Sequence, residues 1–140
     1  MTLKNAYAPH LRRTEKSVYM SLDVLIAIVP LCVFSAVYYG ARPVIMVGIG
    51  MATAMLSETI CCLLKPTILD GTAAVTGGLI GALMSPISPY WVPIVAAVFA
   101  IVVVKMPFGG TGRNLFNPAA AGIALVTLCF PQTLFTYPDP

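Results

Sequence analysis

The chain has 140 residues, of which 59% are hydrophobic and only 9% charged, with a formal net charge of +3. Its mean hydropathy is +0.91. Soluble domains carry roughly 25% charged residues, so the composition excludes an ordinary soluble enzyme and points to an integral membrane protein. No basic patch with interleaved aromatics is present, which excludes a nucleic-acid binder.

Residues 1–16 are polar and basic and read as an arm in front of the first apolar run. That run is too long for the apolar core of a signal peptide and lacks a small-residue cleavage site, so no cleavable signal is expected. The membrane domain is expected over 17–131, with apolar segments at about 17–39, 44–64, 72–85, 91–106 and 118–130. A polar, Pro-rich tail follows at 132–140.

The fold class is therefore all-α, with about five transmembrane or partly broken helices. Pro30 lies inside the first segment, where a kink is expected. Tyr38 and Tyr39 close that segment as interfacial aromatics, and Gly40-Ala41-Arg42-Pro43 turns the chain. Gly48 and Gly50 allow a neighbour to pack closely on the second segment. Lys65-Pro66 stops it. The third and fifth segments are short for an upright crossing. Broken helices lining a site explain this, and a thin local bilayer or misplaced segment boundaries explain it equally well.

Five crossings place Lys4, Arg12, Arg13, Lys16, Lys65, Lys105 and Arg113 on one side and only Arg42 on the other. The positive-inside rule makes the crowded side cytoplasmic. The arm is then cytoplasmic and the tail external, in a bacterial cytoplasmic (inner) membrane. The four cysteines, Cys32, Cys61, Cys62 and Cys129, lie in or beside apolar segments without zinc-ligand spacing, and read as buried free thiols. No metal site is expected.

Two carboxylates fall inside apolar segments. Asp23 lies early in the first, and Glu58 late in the second. Intramembrane acids are expensive and face a partner or a polar interior. Both are candidates for an ion path. Interfacial solvation is the competing explanation, and it weighs more for Asp23.

The stretch richest in chemistry is Phe108-Gly109-Gly110-Thr111-Gly112-Arg113-Asn114-Leu115-Phe116-Asn117-Pro118-Ala119. Its glycines allow close backbone approach. Arg113 and Asn114 offer donors to an anionic or carbonyl-rich group. Asn117-Pro118 reads as a helix start, with Asn at the cap and Pro at the first helical position. Gly110, Thr111, Gly112, Arg113 and Asn114 are the candidate cofactor-binding residues. A plain structural turn between two segments is the alternative. The pattern matches neither a phosphate loop nor a dinucleotide fingerprint.

The glycine loop, Pro9-His10, Asp23-Val24-Leu25-Ile26-Ala27 with Pro30, Asp70-Gly71-Thr72-Ala73-Ala74-Val75-Thr76-Gly77 and Met84-Ser85-Pro86 together resemble one family. It is the NqrB/RnfD family, which unites the D-type membrane protein of Rnf electron-transport complexes with its B-type counterpart in the sodium-pumping NADH:quinone reductase. The resemblance runs through essentially the whole chain. It implies a membrane component of a redox-driven ion translocase, coupling electron flow between ferredoxin and NAD to Na+ or H+ movement. It implies partners of the Rnf A, B, C, E and G types, and a urea-transporter-like fold of which this chain is the first inverted repeat. Such a component is not autonomous, so whether it is itself an enzyme stays open.

The resemblance also implies FMN, carried on a threonine in a Ser-Gly-Ala-Thr-like motif after the fifth helix. The sequence to Pro140 contains no such motif. Thr72, Thr76 and Thr111 lie in other contexts, and none is assigned the covalent flavin. A truncated chain is expected, with a non-covalent flavin at the glycine loop as the remaining cofactor reading. Two other functions stay open on the residues alone: half of a solute transporter or channel without a redox role, and an assembly or scaffold component.

Overall fold

The computed structural model describes residues 14–64, 71–108 and 114–137, with side chains from residue 19 onward. Every regular element among them is helical: α1 Thr14–Tyr39, α2 Arg42–Leu64, α3 Thr72–Leu83, α4 Trp91–Phe99 continuing as a π-helical segment Ala100–Lys105, α5 Pro118–Cys129 and α6 Pro131–Phe135.

Residues Tyr19–Tyr39 of α1 and the whole of α2 are long and apolar enough to cross a membrane, with mean hydropathies of 2.3 and 1.7. At 1.5 Å per residue, the 12 residues of α3 and of α5 span only about 18 Å each. That is well short of the ~30 Å hydrocarbon core. The outward flank of α1 is apolar, with Ile26, Val29, Phe34 and Val37 all exposed. So are Leu63 and Leu64 at the end of α2. A water-soluble monomer rarely shows so continuous an apolar surface, whereas lipid is its natural solvent. The fold is that of an all-α membrane protein.

Turns between helices follow local chemistry. Gly40 ends α1 at φ 74° and Gly71 opens α3 at φ 72°, a left-handed conformation that L side chains rarely take. α1 runs through Pro30 as one helix. Asn117 caps α5 as its sequence suggests: its Oδ1 accepts from the Ala119 N–H at 3.0 Å, with Pro118 at the first helical position.

The tightest seam joins α2 to α3. A Cβ added at Gly77 would strike the Gly50 carbonyl, and one at Gly50 would strike the Gly77 carbonyl. Backbone-to-backbone packing of this kind is how helices associate where no hydrophobic force drives them together. Gly48, expected to share that role, faces open space. The period of the seam selects Gly50 and not its neighbour two residues away, because residues two apart do not share a helix face.

α4 and its π-helical continuation form the inner post. The buried positions are Val92, Pro93, Ala96, Ala97, Ala100, Ile101, Val104 and Lys105. They recur in pairs every four residues. A regular α-helix drifts about 40° for each four residues, so this set would wind off the core. The π turn is wider, which takes out the drift and keeps Val104 and Lys105 on the inner face.

Candidate functional site

The helices alternate in direction, so the end where α1 begins also holds the end of α2, the start of α3, the end of the π-helical segment and the start of α5. Three of these meet in a charged cluster. Lys105 Nζ donates to Glu58 Oε1 at 2.5 Å and to Thr72 Oγ1 at 2.6 Å. Glu58 comes from α2, Thr72 is the first residue of α3, and Lys105 is the last of the π-helical segment.

The Lys105 and Glu58 side chains are only 3% and 5% exposed. The pair is therefore desolvated, unlike a surface ion pair screened by water. A buried pair adds little net stability over an apolar substitute, but removing one partner leaves a buried charge. Among the described residues, no buried side-chain polar atom lacks a partner.

Beside the pair lies a hollow of about 320 Å³ whose walls include Met20 and Ser21 of α1, Thr72 and Thr76 of α3, and Asn117 at the head of α5. Thr72 belongs to both features. Its hydroxyl meets Lys105, and it lines the hollow. Thr76 Oγ1 donates back to the Thr72 carbonyl at 3.0 Å, which ties down the first turn of α3.

The candidate residues separate accordingly. Glu58 is buried and paired. Asp23 sits on an exposed face of α1. Asn114 is half-buried at the start of the turn into α5. Gly110, Thr111, Gly112 and Arg113 lie outside the described residues. Lys105, counted among loop cations from its place in the chain, is instead inside the bundle. Without it, six cations still stand against one in the distribution of Lys and Arg along the sequence. Two signals could have found it: Lys105 closes the apolar run Ile101-Val102-Val103-Val104, and it falls on the four-residue repeat of small and branched residues that begins at Val92.

Cys32, Cys61 and Cys62 are half-buried and Cys129 is exposed, all as free thiols, so the expectation of burial is corrected. Cys32 lines a groove between α1 and α2. No group of three or more potential metal ligands occurs among the described residues.

Comparison with known proteins covers the chain from end to end. The model of a family described as NQR2, RnfD, RnfE matches residues 4–140. The D-type component of an ion-translocating oxidoreductase complex from Shewanella amazonensis is 34% identical over 145 aligned residues, covering 100% of this chain and 42% of that protein. The corresponding D-type proteins of Shewanella sediminis and Pectobacterium carotovorum are 33% and 30% identical, each with 41% of its length covered. The chain thus spans about two-fifths of the length of these curated relatives.

Proposed function

The chain belongs to the NQR2, RnfD, RnfE family, and we propose that it works as a membrane-embedded part of the D-type component in an ion-translocating oxidoreductase complex of the Rnf type. The similarity of the whole chain to proteins of that name supports this reading. The structural observation that carries it is the Glu58–Lys105 pair, buried among apolar helices. Ionisable residues buried within a membrane domain are rare, and they are read first as parts of ion or proton pathways. The complex would move Na+ or H+ with Glu58 on the path. Asp23 is a second station on the exposed flank of α1, where the rest of the protein or another member of the complex would have to cover it.

The remaining assignments belong to the same reading. The arm-side end faces the cytoplasm of a bacterial inner membrane, as the distribution of Lys and Arg indicates. Rnf proteins of the A, B, C, E and G types are the partners. Gly110, Thr111, Gly112, Arg113 and Asn114 contact a redox partner or a non-covalent flavin, on the strength of the glycines, the cation and the helix start at Asn117. FMN itself is carried by the full-length protein.

The test is Glu58→Gln together with Glu58→Gln/Lys105→Met in the assembled complex, reading electron transfer and ion transport side by side. The expected result is electron transfer that continues with ion transport reduced. Full transport in the double variant would remove Glu58 from the path.

A further inference from the structure

We propose that the Lys105 ammonium is a tethered cation occupying an oxygen seat formed by Glu58 and Thr72, and that a small monovalent metal cation such as Na+ competes with it for that seat. The inference deepens the reading of Glu58 as an ion station, and its meaning for transport rests on that reading.

The seat has the chemistry of a hard-cation site. Among the described residues it offers a carboxylate oxygen at 2.5 Å and a hydroxyl oxygen at 2.6 Å from the ammonium nitrogen. Carboxylate and neutral oxygen donors are what hard metal cations take. An ammonium presents the same single charge with three donors to the same atoms. The lysine cation is tied to the backbone, whereas a free ion can leave.

The tether is set by the π-helical segment. The Met106 N–H donates to the Ile101 carbonyl at 2.9 Å, five residues back. That wide turn holds Lys105 on the inner face. π turns inside α-helices are frequent at functional sites. One residue fewer in this stretch would rotate Lys105 about 100° around the helix and away from Glu58.

A cation would enter through the adjoining hollow. It reaches Thr72, and among the described residues its mostly apolar walls carry polar groups only at Ser21, Thr76 and Asn117 besides. The exchange also conserves charge. Withdrawing the ammonium alone would strand the Glu58 carboxylate in an apolar bundle, which is strongly unfavourable. A metal cation entering as the ammonium leaves keeps the cluster at the same net charge, so the two events are linked one for one.

The experiment uses the assembled complex containing this chain, held in one redox state. Equilibrium binding of ²²Na+ is compared among wild type, Lys105→Met and Lys105→Met/Glu58→Gln. Lys105→Met is expected to bind an additional Na+ per chain, and the double variant to lose it. Equal binding by wild type and Lys105→Met overturns the proposal. A second measurement needs no variant: acetic anhydride labelling of Lys105 in the wild type, followed by mass spectrometry, in NaCl against choline chloride. Labelling severalfold faster in NaCl is expected, and an identical rate overturns the proposal. Extra Na+ binding accompanied by normal ion transport in the double variant would support the seat while refuting the transport role of Glu58. Lost transport without extra binding would do the reverse.

Discussion

At the arm-side end of the bundle, Lys105 meets Glu58 and Thr72 with both charges buried. At the far end, the exposed Arg42 lies over the ring of Tyr90, 5.3 Å from its centroid. Trp91 and Phe130 meet edge to face there, with ring centroids 5.0 Å apart. The turn after α3 is fastened by hydroxyls. Ser88 Oγ donates to the Thr133 carbonyl at 2.6 Å, and Ser85 Oγ donates to the Thr136 carbonyl. One end stores charge away from water. The other uses rings and neutral hydrogen bonds, with its cation Arg42 left exposed. The far end therefore reads as a structural clasp, and the arm-side end holds the proposed ion station.

That contrast can be broken first at Lys105. Replacing it with Met alone leaves Glu58 buried and unpaired, and a loss of about 3–5 kcal/mol is expected. Adding Glu58→Gln should recover most of it, because the charge is removed with its partner. Thermal unfolding of the purified complex in choline chloride checks both, and additive losses would show that the pair does not couple.

Between the two ends, Gly77→Ala probes the seam that spaces them. Its methyl would collide with the Gly50 carbonyl, and overpacking of this kind costs about 1–3 kcal/mol. Gly48→Ala, facing open space, is expected to be neutral or to gain up to about 1 kcal/mol from helix propensity. Equal effects at the two positions would show that the seam is wrongly placed.

The clasp should respond more weakly. Ser88→Ala is expected to destabilise by about 1 kcal/mol through the lost hydrogen bond, with ion transport unchanged. Arg42→Gln removes an exposed cation from a ring face and should cost only about 0.5–1 kcal/mol. A large transport defect in either variant would erase the functional distinction between the ends, and comparing flux with residual stability is the measurement that decides.

Much of this protein was legible in the chain itself. Charge scarcity and apolar run length define a helical membrane protein. Gly40, Gly71 and Asn117-Pro118 mark helix boundaries through backbone conformation and capping, which are local properties. The short reach of α3 and α5 follows from where Gly71, Pro86, Pro118 and Pro131 stand. Glu58 was identifiable because a carboxylate inside an apolar segment demands a partner.

The partner's identity was not legible. Glu58 and Lys105 are 47 positions apart, and nothing local in the chain specifies their meeting. It depends on the α2–α3 seam at Gly50 and Gly77, which brings Thr72 alongside Glu58. It depends also on the π turn, which rotates Lys105 inward when its position at the end of a segment suggests a loop cation. The sequence by itself determined that charge would be buried in this membrane domain and where its helices start and stop. Only the tertiary structure decided which charges meet, because azimuth around a helix and the spacing between helices are set by packing across the bundle.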